Sequence, residues 1–147
     1  MAVGAFTLLN TGKEALTTDN ANQINWVSDT IVGVLVTQAH TPALTHSTYA
    51  DISANITADA DYAPATVTGK TSVRTADKIL WDCDNVSFGD PVTITAKYLY
   101  WVKRAGGALT GTDQLIGYVD LNVGAGLSGS STNSLFRVNT PDGLFEI

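Results

Sequence analysis

"VTITAKYLYWVKR" (92–104) is the longest β-forming run in the chain, and the reading of its two faces decides the fold. Threonine, valine, isoleucine and the aromatics suit a pleated, half-buried surface. Successive side chains of a strand point to opposite faces. Val92, Ile94, Ala96, Tyr98, Tyr100 and Val102 therefore share one face, which reads as core. The other face begins polar with Thr93, Thr95 and Lys97, turns apolar at Leu99 and Trp101, and ends at Lys103. A solvated sheet does not normally present leucine and tryptophan to water, so either a loop or another chain covers that side.

Working outward, "QLIGYVDLN" (114–122) follows a glycine-rich turn and should pair back on the long strand as a hairpin. Upstream, "DTIVGVLVT" (29–37) is apolar on both faces, Ile31 and Leu35 on one, Val32, Val34 and Val36 on the other. Such a strand is central and covered twice. "AFTLL" (5–9), "KTSVRT", "KILWDC", "NVSF", "LFRVN" and "LFEI" add further short strands, with turns near Ala76-Asp77, at "GDP" (89–91) and at "TPDG". "YADI" (49–52) reads as a short strand and 53–70 as an irregular excursion holding one more. "VGAGLSGSSTNS" reads as a flexible loop. Asn10 or Thr11 could cap a short helix through Glu14, Ala15 and Leu16. The expectation is one domain over 1–147: all-β, an antiparallel β-sandwich of jelly-roll type with eight to ten strands and at most one or two short helical turns.

Composition narrows the function. The length of 147 residues fits one domain able to bury a core without metals or disulfides. Net charge is −6 and no basic run exceeds Lys103-Arg104, which argues against nucleic acid and against an anionic membrane as partner. The lone cysteine, Cys83, forms no intrachain disulfide and no cysteine metal site. "MAVGAFTLLNTGKEAL" lacks the pattern of a secretory signal and "IVGVLV" is too short to span a bilayer, so the chain is expected to be made in a cytoplasm and to stay soluble. Charged residues make up 15% of the chain, well below the usual quarter, and such a surface is often partly covered by something else.

Candidate chemistry is thin. "TQAHTPALTHSTYADI" (37–52) holds both histidines, His40 and His46, with Asp51 beyond; two imidazoles and a carboxylate can bind zinc, but Pro42 interrupts them and no regular element fixes their spacing. A surface loop is the favoured reading, with a ring bonded to a backbone carbonyl. Asp59/Asp61 and Asp82/Asp84 could offer calcium oxygens, yet lack the twelve-residue loop and its closing glutamate. No nucleophile elbow or phosphate loop occurs. No catalytic residue, metal or cofactor is assigned. Trp26, Trp81, Trp101, Tyr98 and Tyr100 could form a sugar-stacking platform, though such residues more often anchor cores and interfaces.

The segments "VGVLVTQAHTPALTHSTYADI", "FGDPVTITAKYLYWVKR", "LIGYVDLN" and "LFRVNTPDGLFEI" together resemble a group of small tailed-bacteriophage structural proteins, over roughly residues 24–147. The shared motifs are strand and turn patterns, not catalytic signatures. "ITADADYAP" departs from the group, where a glycine-rich turn is expected. The resemblance implies a non-enzymatic virion component: a capsid decoration or cement protein on the capsid surface. Its partners would be the major capsid protein and its own copies, as dimer or trimer. A tail, collar or fibre module, including one that binds host glycans, is the alternative. The residues expected to carry the interface are Leu99, Trp101, Leu144, Phe145 and Ile147, the last three because the chain ends on an apolar strand. On that expectation, Trp101→Ala weakens assembly more than it unfolds the monomer.

Overall fold

The computed structural model describes residues 3–17, 22–139 and 145–146. The central element is a five-stranded antiparallel sheet in the order β1 (Thr7–Leu8), β9 (Gln114–Asp120), β8 (Tyr98–Lys103), β2 (Ile31–Val36), β3 (Ala65–Thr66). β2 and β9 flank β8, and all six residues of β2 are buried, as its two apolar faces require. One face of the sheet carries Ile31, Leu35, Leu99, Trp101 and Ile116 into the larger core. The other carries Val32, Val34, Val36, Tyr100, Val102 and Leu115 into a second, smaller core.

Short antiparallel pieces close over the larger core. β5 (Ile79–Asp82) pairs with β4 (Thr71–Arg74) and with β12 (Phe145–Glu146); β7 (Val92–Ala96) pairs with β10 (Gly129–Ser134); β6 (Val86–Ser87) pairs with β11 (Arg137–Val138). Trp26 stacks on Trp81 with ring centroids 5.2 Å apart and gives its Nε1–H to the Asp82 carbonyl. The smaller core is covered by α2 (Ala50–Ser53), whose Ile52 is fully buried, together with Leu9 and the partly buried Tyr49, Ile56 and Leu109. α1 (Asn10–Thr17) leans on β9 so closely that a Cβ at Gly12 would stand 2.3 Å from the Ile116 carbonyl oxygen.

The all-β character with antiparallel sheets and little helix is as the sequence implies. The long strand is not. It breaks at Lys97 into β7 and β8, and the break reverses its faces. Val92, Ile94 and Ala96 enter the larger core, and so do Leu99 and Trp101, while Tyr100 and Val102 go to the smaller one. An uninterrupted strand would put Ala96 and Leu99 on opposite sides. Lys97 makes the crossing tolerable: its backbone still bonds Val36 and Leu121, and its buried ammonium reaches the carbonyls of Asn122 (2.6 Å) and Gly124 (2.9 Å) and the Asp120 carboxylate (2.9 Å). Two smaller corrections follow. "YADI" is a helical turn, because the Asp51 carboxylate accepts the N–H groups of Ser47 and Thr48 and holds the chain in a turn there. Part of "VGAGLSGSSTNS" is strand β10, recruited by β7 despite its flexible composition.

Candidate interaction surface

Leu99 and Trp101, expected to meet a partner, are fully buried within the chain. The expectation that they form an outward interface is therefore corrected. The cover is the chain itself. Trp101 lies in the ladder between Gly33 and Gly117; the missing Cβ at Gly117 leaves a slot beside the indole, and the one at Gly33 leaves room for Val86, Leu99 and Phe88. Phe6 closes the slot edge-on, its ring centroid 5.3 Å from that of Trp101. A Cβ at Gly117 would stand 2.3 Å from the Phe6 ring. Leu144 and Ile147 lie outside the described residues; Phe145 pairs through its backbone with Trp81, so the chain's last strand is tied into the β5 sheet.

The histidine loop folds inward. His40 is buried, with Nε2 3.0 Å from the Tyr100 hydroxyl and its ring 5.1 Å from that of His46. His46 Nδ1 accepts the Ala43 N–H at 3.4 Å, so neither ring uses a backbone carbonyl as expected. Burial, and then the neighbouring His46, depress the His40 pKa, against a smaller opposing pull from Asp51. The Asp51 carboxyl is held below its usual range, chiefly by the Thr48 and Ser47 N–H groups. Among the described residues no three His, Cys, Asp or Glu side chains gather as a metal site would need.

The two Asp-x-Asp pairs are structural. Asp59 Oδ2 accepts the Thr95 N–H (2.9 Å) and the Thr57 hydroxyl (2.7 Å), and Asp61 Oδ2 accepts the Thr93 N–H (3.2 Å). These carboxylates thereby occupy the outer edge of β7, opposite β10. Asp84 receives the Thr68 hydroxyl, and Asp82 the Cys83 N–H. The three tryptophans are all buried, which removes them from a sugar-stacking platform.

What remains on the surface is of two kinds. A shallow groove of about 580 Å³ runs between Thr37, Gln38, Thr57, Asp59, Thr95 and Ser128, and continues past Gly126 toward Tyr98 and Asp120. On the far side of the larger core stands the β4–β5 hairpin. All four β4 residues are exposed, and Val73 (52%) and Ile79 (39%) show apolar surface to water. Beside it a hollow of about 280 Å³ is lined by Ser72, Trp81 and the exposed Val27. Sequence reasoning placed this hairpin around the turn near Ala76-Asp77 but not its exposure, because "KTSVRT" looks like any short polar strand; that it lies at the end of a sheet is a property of topology, not of its residues. Comparison of the chain with family models, with curated proteins and with solved structures finds no match to any.

Proposed function

We propose that this chain is a non-enzymatic structural protein of a tailed-phage virion. It acts as a capsid decoration or cement protein, made in the host cytoplasm and bound to the major capsid protein lattice on the head surface. The finer architecture proposed with it is a jelly-roll-like sandwich, the β4–β5, β6–β11 and β7–β10 pieces forming a discontinuous second layer over the central sheet. The observation that carries the reading is the β4–β5 hairpin: an exposed edge with apolar side chains, set on a framework whose central sheet is buried on both faces. The sequence resemblance to small phage structural proteins supports it from a separate direction. Such a protein works by non-covalent stapling. Each contact is modest, since burial returns roughly 25 cal/mol per Å² before the cost of association. Self-association as dimer or trimer would multiply the contacts per molecule.

Pelleting tests the proposal. Purified protein is mixed with phage heads that lack it and, separately, with isolated tails. Saturable binding to heads at a fixed ratio to the major capsid protein is the expected result. Binding to tails alone would move the assignment to a tail, collar or fibre module, and binding to neither would overturn the virion reading.

A further inference from the structure

Open sheet edges invite pairing with other chains, and proteins blunt them with short strands, bulges, charges or covering side chains. Among the described residues, this chain blunts its edges with one exception. β1, β3, β6, β11 and the described part of β12 are two residues each. The outer edge of β7 is occupied by Asp59 and Asp61. β10 is broken by a register shift between Ser131 and Ser134, with Asn133 at a φ of 48°. β4 alone runs four residues in regular register with β5 and carries no cover.

The hydrogen-bond phase of that edge follows from the hairpin. The Thr75 N–H donates to the Lys78 carbonyl, so the alternation directs Thr71 and Val73 toward β5 and leaves the N–H and C=O groups of Ser72 and Arg74 pointing away from the sheet. Those outward groups have no partner among the described residues. Charge marks the same edge. Three of the chain's eight lysines and arginines, Lys70, Arg74 and Lys78, fall within nine positions, with Asp77 the only acid among them, in a chain of net charge −6.

We infer that β4 is a docking edge that takes an extended segment of an acidic partner protein as a further strand of the β12–β5–β4 sheet. The Ser72 and Arg74 backbone groups supply the ladder. Arg74 selects acidic side chains on the face it shares with Ser72, and the exposed Val73 on the opposite face meets the apolar ones that alternate with them. A second copy of β4 fits poorly. In either strand direction it brings Arg74 close to the other copy's Arg74 or Lys70, and like charges across a ladder destabilise it. The inference rests on the edge itself and not on the virion assignment.

Titration of the labelled full chain with a short peptide alternating glutamate and valine tests this, followed by backbone amide shifts, with a lysine–valine peptide in parallel. Saturable shifts centred on 71–75 with the glutamate peptide only are expected. Ser72→Pro removes one outward donor at a position where an edge strand tolerates proline, and should weaken binding about fivefold or more. Arg74→Glu, which leaves the backbone unchanged, should reverse the preference between the peptides. Equal binding of both peptides, shifts away from β4, or no shift would overturn the inference. So would β4 shifts that grow with protein concentration alone, since they would assign the edge to a second copy. No virion component enters the titration, so its failure leaves the head-binding result standing, and the converse holds.

Discussion

Replacing Lys97 with methionine tests the account of the strand crossing most directly. Methionine keeps the apolar stem and removes the ammonium, which sits on a side chain only 6% exposed and serves three oxygens: Asp120 Oδ1 and the carbonyls of Asn122 and Gly124. Breaking a buried pair from one side costs about 3–5 kcal/mol, because a charge is left buried without its partner. Asp120 is not fully buried, at 27% exposed, and it retains the Asn122 N–H at 3.0 Å. Water can therefore reach part of what the ammonium leaves, and the expected loss falls to roughly 2–3 kcal/mol, a drop in Tm of roughly 5–10 °C for a chain this size. Asp120→Asn alone should cost less, since Lys97 then keeps both carbonyls. Urea unfolding of both single variants and the double variant gives the coupling, expected to be about 1 kcal/mol or more. A Lys97→Met loss under about 1 kcal/mol, or strictly additive variants, would refute the idea that this ion pair holds the face reversal in place.

Three further outcomes are expected. Trp101→Ala should destabilise the monomer by about 3–5 kcal/mol, since it empties the space of a fully buried indole; a melt within about 2 °C of wild type would mean the side chain is not enclosed. Asp59→Ala should cost about 1–2 kcal/mol through the orphaned Thr95 N–H, the Thr57 hydroxyl keeping the Thr95 carbonyl as acceptor, and should raise light scattering on mild heating as the β7 edge opens; scattering unchanged from wild type would argue that this edge is closed by other means. For His40, the folded-state pKa lies below the ordinary 6.5, so the unfolded chain binds the proton more readily. Stability should be full above about pH 6.5 and decline as the pH falls from there toward the depressed folded value. His40→Phe should flatten that part of the denaturation midpoint against pH, and an unchanged slope would show that other groups set it.

Much of the architecture was legible because burial is written in alternation. The two apolar faces of "IVGVLV" identify a central strand, and the β8–β9 and β4–β5 hairpins follow from turn residues between β-forming runs. What alternation does not record is a break in its own phase. Lys97 looks like an ordinary outward lysine in "TAKYL", and only the partners of its ammonium, 23 to 27 residues downstream, make it the point where the faces exchange. The covering of Trp101 left a faint signal: a glycine in the middle of each neighbouring strand, Gly33 and Gly117, each of which weakens its strand unless something large needs the space. The aspartate pairs were read for composition and not for destination. Asp59 and Asp61 meet Thr95 and Thr93 across more than thirty residues, a distance no local motif spans. The surface was least legible of all, since β4 owes its exposure to the order of strands.

The order of strands in the central sheet also governs when the protein can come into being. Residue 7 pairs with residue 118, and β2 waits for β8 some seventy positions later, with Ile31 opposite Lys103. A ribosome therefore delivers the first hundred residues before the main sheet has its middle, with only the β4–β5 hairpin able to close from neighbours in sequence. Until β8 emerges, the apolar run of β2 has only the two-residue β3 and Ile56 to pair with, and a sheet assembled from such distant segments forms slowly. The blunted edges of the finished fold give no protection at that stage. A chain truncated before β9 would leave the outer edge of β8 without its partner, so expression at low temperature, which slows aggregation more than it hinders pairing, should raise the yield of the complete chain and leave the truncated one insoluble.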